Sequence, residues 1–461
     1  MKLPVSIALR LIIMTLFFAL CVTLWGQDGA VSGSSVSVAD KALAAPAESP
    51  NQQNWLIHTQ GTEIIQGQPG FHSPYTGPNS ISPRDTLRQT SSFDLFLGAH
   101  IWPGGAIYFN PEYYQGFGFA DAHGIAAFPN GEAYKVGKKY GDVFIPHLYY
   151  QQTIGFGGEQ EDIPGDLLQL ADKVDISRLT ITIGRLSVGD SFDNNAYSHD
   201  PTTQFMNWAL IDAGAFDYAA DSLGYIEGAT LDLNQKRWAI RYGIFDVARV
   251  SNGEAKDGHY LEAWQQMLEA EGRFSFWNHP GKVRVLGWLE SAHMGSYSET
   301  LANPQYMNDI TKTERYRLQY GAVLNIEQEI TSSVGAFMRA SWRDGHSEVW
   351  QFTDIDHSIS VGLQLKGTAW KRNDDVFGLA DVISGLTEVH RDFLAAGGLG
   401  ITIGDGKLPH YEPEDVLEMY YDMQVVKGIH MAIDYQLVVN PAYNPDRGPI
   451  NIISGRIHFQ F

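Results

Sequence analysis

The sequence predicts an all-β fold, a transmembrane antiparallel β-barrel of about sixteen strands whose third outer loop folds inward. Three observations predict it. The chain closes on an alternating strand, with Ile457, Phe459 and Phe461 on one face and Arg456, His458 and Gln460 on the other. A charged and then apolar segment opens the chain. Between them, short and long connectors take turns along the chain, as periplasmic turns and outer loops do in a barrel.

Residues 1–26 read as a signal peptide. Lys2 and Arg10 sit in a first stretch without acids, and Leu11 to Trp25 is apolar except for Thr15 and Thr23. The run is short of the about 20 residues a spanning helix needs. Cleavage is placed loosely near Gly26. Cys21, the only cysteine, follows Leu20, where a lipoprotein box calls for a small residue. The mature chain then has no cysteine, hence no disulfide and no thiolate chemistry. Residues 27–53, rich in Ser, Ala, Gly and Pro, read as a flexible linker, and 54–461 as one barrel domain.

Lys and Arg number 32 against 53 acids, for a net charge of -21, so the chain lacks the basic footprint of a nucleic-acid binder. A mean hydropathy of -0.19 reads as soluble, but lipid-facing and lumen-facing residues cancel along a barrel strand.

Clean alternation runs through 93–101, 178–183, 237–244, 316–327, 334–343, 359–366, 417–425 and 429–439. Tight connectors are expected at Pro103 to Gly105, Asn234 to Lys236, Asn278 to Gly281, Glu329 to Thr331, Trp370 to Asp374 and Lys427 to Gly428. Long ones are expected near 66–92, 119–141, 187–222, 247–259, 295–314, 345–356, 384–412 and 440–448. A longish turn near 157–177 breaks the alternation.

The polar faces of these strands carry Arg178, Arg237, Arg241, Arg317, Arg339, Arg343 and Arg456. Planar guanidiniums suit hydroxyl-rich or carboxylate ligands, so these arginines are expected to line one aqueous wall, with Glu418, Asp422 and Asp434. Segment 187–222 is the expected counterpart. It holds Asp190, Asp193, Asp200, Asp212, Asp217 and Asp221, six large aromatics, and no Lys or Arg. Folded into the lumen, it brings Asp190, Asp193, Asn194, His199, Asp200, Asn207, Trp208, Asp217, Tyr218 and Asp221 to the pore. Acidic groups and rings there match sugar hydroxyls and sugar C–H faces, and diameter, lining groups and field set selectivity.

The run Phe192 to Pro201, then Phe205-Met206-Asn207-Trp208-Ala209 and Phe216 to Asp221, resembles the carbohydrate-selective porins of Gram-negative outer membranes. His58 to Thr62, Ser73 to Gly77, Asn110-Pro111-Glu112, Asn130 to Lys135, Gly404 to Gly406, Asp434 to Gln436, Asn440 to Asn444 and Asp446 to Pro449 fit the same family in order. The resemblance covers about Trp55 to Phe461. It implies a multi-pass barrel in the outer membrane of a Gram-negative bacterium, passive diffusion of mono- or small oligosaccharides, and an inward third loop. Glu112 joins the pore residues on this footing. It further implies lipid and lipopolysaccharide around a monomer or homotrimer, and an assembly machinery that reads the end at Phe461.

No catalytic residue, cofactor or metal site is expected. No Ser lies in a Gly-x-Ser-x-Gly elbow, and the fifteen histidines form no H-E-x-x-H. The alternatives are a general cation-preferring porin, an outer-membrane barrel enzyme and a secreted lectin. Arg185 falls on the lipid side of its strand by alternation and is left out of the pore set.

Overall fold

Glycine- and turn-rich breaks divide the chain into strands that alternate in polarity, and these pair in sequence order. The computed structural model describes residues 53–134 and 138–461; the expected signal peptide, Cys21 and all of the linker but Gln53 lie outside the described residues. The strands are β1 (Trp55–Gln68), β2 (Thr86–Trp102), β3 (Gly105–Gly116), β4 (Lys138–Gly155), β5 (Gln160–Ile163), β6 (Asp172–Asp175), β7 (Arg178–Leu186), β8 (Ile226–Asn234) and β9 (Trp238–Phe245). They continue as β10 (Trp264–Phe276), β11 (His279–Met294), β12 (Arg315–Thr331), β13 (Val334–Arg343), β14 (His357–Gly367), β15 (Arg372–Gly385), β16 (Glu414–Val426), β17 (Ile429–Val439) and β18 (Ile450–Gln460). Sixteen of them close into one barrel; β5 and β6 form a separate hairpin.

Closure joins the two ends of the domain. β1 pairs with β2 and with β18, and the Phe461 N–H donates to the Thr59 carbonyl at 2.9 Å while its own carbonyl accepts from Thr59 N–H at 2.8 Å. The expected short and long connectors fall at opposite ends of the barrel. Several boundaries move by a few residues. Glu329 to Thr331 belongs to β12, so its turn is 332–333, and the first long connector shrinks to 69–85 because β1 and β2 pair out to Gln68 and Thr86.

The barrel is apolar outside and polar inside. Ile183, Leu231, Ile240, Leu268, Val285, Leu318, Ile433 and Ile453 are exposed on the outer face. Thr230, Glu269, Asn325, Arg339, Glu418 and Arg456, on the opposite parity, are buried. Exposed Trp55, Trp102, Trp238, Trp277 and Trp370 ring the short-turn end, the position of an interfacial aromatic girdle. Arg185 does stand on the outer face, opposite Leu148, and its guanidinium reaches back to Asp221 at the rim. Among the described residues no helix is long and apolar enough to cross a membrane; the crossing elements are strands.

The lumen is entered from both ends. From the long-loop end, the third loop (187–225) and part of the second (124–134) fold inside. Phe205, Leu210, Ile211 and Tyr197 join one buried cluster with Ile125, Ala126 and Ala127, and Phe192, Phe216 and Tyr218 join another with Trp288 and Trp350. The inward turn of the second loop was not expected from the sequence. From the short-turn end, the β5–β6 insertion tucks Leu170 against inward-facing Leu56, Phe96, Ala106 and Tyr108, with Leu167, Leu168 and Tyr149 around it. The Leu170 N–H donates to Tyr108 Oη at 3.4 Å, and Gln53 and Ala171 exchange two hydrogen bonds.

Candidate functional site

An irregular segment inside a barrel needs partners for its backbone N–H groups, because a buried unpaired one costs about what a lost hydrogen bond costs. Inward-facing acids and amides on the wall supply those partners. Glu269 of β10 accepts from Asp193 N–H (2.9 Å), Glu327 of β12 from Ala196 N–H (2.9 Å), and Gln265 of β10 from Ala219 N–H (2.6 Å). Glu418 of β16 accepts from both Met206 N–H (2.6 Å) and Asn207 N–H (2.9 Å). Glu414, beside it, takes the Ala126 and Ala127 N–H groups of the second loop.

Arginines hold the loop carbonyls. Arg339 of β13, 1 % exposed, donates to the Leu210 carbonyl (2.7 Å), the Ser198 carbonyl (2.7 Å) and the Asp193 carbonyl (3.0 Å), and pairs with the Asp193 carboxylate at 3.1 Å. Arg456 of β18 donates to the Pro201 and Gln204 carbonyls (2.7 and 2.8 Å) and lies 3.4 Å from Asp422, which also meets His430 at 2.5 Å. Asp434 is buried beside Gln436.

The loop's own side chains lock neighbouring segments. Asn207 precedes the short helix α1 (Trp208–Ile211), accepts from Ala209 N–H, and donates to the Ala127 carbonyl and Gln436. Asp217 accepts from the N–H groups of Trp350, Gln351 and Phe352 in the sixth long loop (344–356). Trp208 packs edge-on to Phe352 at 4.9 Å, and Tyr218 donates to Asp212.

These contacts correct part of the expected pore lining. Asp193, Asn207, Asp217, Tyr218, Asp221, Glu112, Arg339, Arg343, Glu418, Asp422, Asp434 and Arg456 are all buried from solvent. Backbone groups and ion pairs occupy most of them, and side-chain partners meet Glu112 (Tyr134), Tyr218 (Asp212) and Asp434 (Gln436), so most of them brace the loops and none is open to solvent. Trp208 likewise is wedged among the second, third and sixth loops. Arg343 binds Asp356 (2.8 Å), and Asp356 also meets His390 at 3.0 Å. Three arginines lie away from the third loop. Arg237 is exposed on the β8–β9 turn, Arg178 pairs with Glu161 of β5 at 2.6 Å, and Arg317 pairs with Glu299 of the fifth long loop (295–314) at 2.6 Å.

Part of the third loop stays accessible. Asp190 and Asn194 are exposed on the loop, and His199, Asp200 and Gln204 are half-buried. Asp200 and Gln204 lie next to β18, whose Arg456 holds the Pro201 and Gln204 carbonyls, and Asp190 meets His147 of β4 at 3.0 Å. From β1, β4, β7 and β8, Gln60, Gln151, Thr180 and Asp232 project inward and are half-buried. Below them runs a ladder of charge. Arg241 meets Asp232 (2.9 Å), Glu269 (2.7 Å) and Glu271 (3.2 Å), Arg273 and Arg284 meet Glu271, and Lys282 meets Glu327. Sequence reasoning named Arg241 alone of these. The signal was available, since Glu269, Glu271, Arg273, Lys282 and Arg284 share the inward parity of adjacent strands. Among the described residues no group of three His, Cys, Asp or Glu side chains is placed to hold a metal.

The model of the carbohydrate-selective porin, OprB family, matches residues 79–461. No curated protein matches the chain. Among solved structures, the chain is similar to OprB of Pseudomonas putida at high pH, with a TM-score of 0.67 at 13% identity over 88% of this chain and 94% of that one. The low-pH structure of the same protein gives a TM-score of 0.49 at 11% identity over 88% and 93%. The outer membrane channel DcaP of Acinetobacter baumannii gives 0.48 at 10% identity over 88% and 97%.

Proposed function

The chain belongs to the carbohydrate-selective porin, OprB family, and from that premise we propose where in this outer-membrane carbohydrate channel the sugar passes. The passage runs beside the third loop, between its edge of Asp190, Asn194, His199, Asp200 and Gln204 and the wall formed by Gln60, Gln151, Thr180, Asp232 and Arg241. One observation carries this reading. The third loop's main-chain anchors, with the Asn207 amide, fall on β10, β12, β13, β16, β17 and β18, and the second loop is tied above to Gln66 of β1, Thr90 and Ser92 of β2 and Glu112 of β3, which leaves the β1–β4 and β7–β9 wall below the second loop as the open side.

This lining is mixed in a way that suits neutral polyols. Carboxylates and amide oxygens accept from sugar hydroxyls, and Arg241 and the amide nitrogens donate to them. No proton or covalent step is needed, and the solute moves down its gradient by exchanging water for these partners. Each barrel encloses a whole lumen, so the mechanism is the same for a monomer or for each subunit of a homotrimer. The outer apolar belt meets outer-membrane lipid and lipopolysaccharide, and residues 1–26 direct export.

Asn194→Trp tests the path, because the residue is exposed and holds the loop through its backbone. Conductance in a planar bilayer and current block by added hexose should both fall. A variant that conducts and blocks like the parent places the passage elsewhere. Phe461 is assigned to assembly, since it completes the β18–β1 ladder. Deleting it should lower the yield of folded, heat-modifiable barrel and leave the conductance of the folded fraction unchanged. Normal yield with altered flux would refute that role.

A further inference from the structure

Above the lumen, four outer loops enclose a cavity of about 290 Å³. Ser251 and Asn252 come from the fourth long loop (246–263), Tyr297 and Ile310 from the fifth, Glu348, Val349 and Asp354 from the sixth, and Leu399, Gly400 and Ile401 from the seventh (386–413). The loops are tied to one another around it. Asn252 N–H donates to the Trp350 carbonyl at 2.8 Å and Ser251 Oγ to the Val349 carbonyl at 2.9 Å. Gly295 and Glu348 exchange two bonds, Gly295 N–H to the Glu348 carboxylate (3.0 Å) and Glu348 N–H to the Gly295 carbonyl (2.9 Å). Asp354 Oδ2 accepts from Thr402 N–H at 2.7 Å, and Tyr443 Oη donates to the Asp354 carbonyl at 2.7 Å. The cavity is therefore built before any ligand arrives.

Its chemistry is one-sided. No Lys or Arg lines it. Asp354, fully buried, has an Oδ1 with no hydrogen-bond donor, and that atom lies against Gly400, where a Cβ would come within 2.4 Å of it. Asn252 Oδ1 is buried and without a donor too. Beside these acceptors stand the Tyr297 ring and the aliphatic faces of Ile310, Val349, Leu399 and Ile401. A buried acceptor without a donor is costly, so the lining favours a ligand rich in O–H donors that also carries C–H surface. Phosphorylated or carboxylated solutes meet two carboxylates and no cation. The volume lies at the lower end of the about 300–1,000 Å³ of small-molecule sites, which suits one sugar ring and not an oligosaccharide.

We infer that this outer-mouth cavity is a loading subsite for a single neutral monosaccharide ring, held through Asn252, Glu348 and Asp354, upstream of the third loop. The inference rests on the carbohydrate-channel reading and adds a second binding position to it. A subsite on one face makes sugar capture asymmetric, faster from outside than from the periplasm.

The test uses oriented single channels in a planar bilayer, with glucose added to one side at a time. Two variants are read against the parent. Asn252→Gly removes the amide at a position whose φ of 52° suits glycine, and Leu399→Trp fills the cavity from its exposed rim. Both should cut the glucose association rate from the outer side by about fivefold, on the scale of one lost hydrogen bond. Ion conductance and the rate from the periplasmic side should not change. Parent-like outer rates, or equal losses from both sides, overturn the subsite while leaving the carbohydrate channel intact. Displacement of glucose by millimolar calcium from the outer side in the parent, absent in Asn252→Gly, overturns it in favour of a cation site. A parent that glucose never blocks overturns the channel reading itself.

Discussion

The third loop and the β5–β6 hairpin both enter the lumen, from opposite ends, and both bury apolar side chains, but polar ties weigh far more in the loop. The loop is tied by charged and amide groups on distant strands, with its backbone as the partner. The hairpin packs its leucines on an apolar patch of wall, with two bonds to Gln53, one to Tyr108, and ion pairs at its base from Arg178 to Glu161 and from Lys236 to Glu159. Hydrophobic contact is non-directional and tolerates sliding, whereas bonds to specific carbonyls and N–H groups fix position and register. The loop is thus built to set a geometry, and the hairpin to occupy space.

The sharpest way to break this contrast is Arg339→Ala. It leaves three loop carbonyls and the Asp193 carboxylate without their cation, and removing one partner of a buried pair costs about 3–5 kcal/mol. Single-channel conductance should rise severalfold and sugar block should vanish while the barrel still inserts. Parent-like block would mean that the wall carboxylates hold the loop unaided. Leu170→Asp tests the lower element. Burying a leucine is worth about 1.5–3 kcal/mol, so a charge there should release the hairpin and raise conductance. Sugar block should persist, because the third loop is untouched; its loss would show that the two constrictions act as one.

The smallest effect separates the ends by pH. Burial, with Glu314, Asp354 and Asp309 nearby, pushes the Glu348 carboxyl up to about 7. A raised carboxyl pKa means the folded loops hold a proton that the unfolded chain gives up near its ordinary value of about 4.3. Outer-loop stability should therefore fall as pH rises from that value through about 7 and then level off. Limited proteolysis of the fourth to sixth loops should be faster at about pH 8 than at about pH 6, and Glu348→Gln should remove the difference. Equal cleavage in the parent at both values would refute it.

The barrel was legible because its code is local. Alternation in segments such as 316–327 and 429–439 needs only neighbours along the chain, and the loop-length rhythm follows from having two ends. The third loop was legible as an inward element because six aromatics and six aspartates without a cation make little sense in open solvent. The role of its aspartates was not legible. Asp193 and Asp217 read as pore charges, yet they meet Arg339 and the backbone at 350–352, partners more than a hundred residues away. The hairpin showed only as a broken rhythm at 157–177, since nothing in Leu167, Leu168 and Leu170 says which wall they will meet. Parity likewise assigned Arg178, Arg237 and Arg317 to the polar face, but it gives no height along the barrel axis.

The wall grips the third loop largely by its main chain, through Glu269, Glu327, Gln265, Glu418, Arg339 and Arg456. Main-chain groups are common to every residue type except proline at the N–H. The identity of the residues at the loop's open edge is therefore free to change without loosening the mount. On the proposed path, Asn194 or His199 can be exchanged as one changes a filter in a fixed housing, which would make solute preference an evolvable trait, separable from folding.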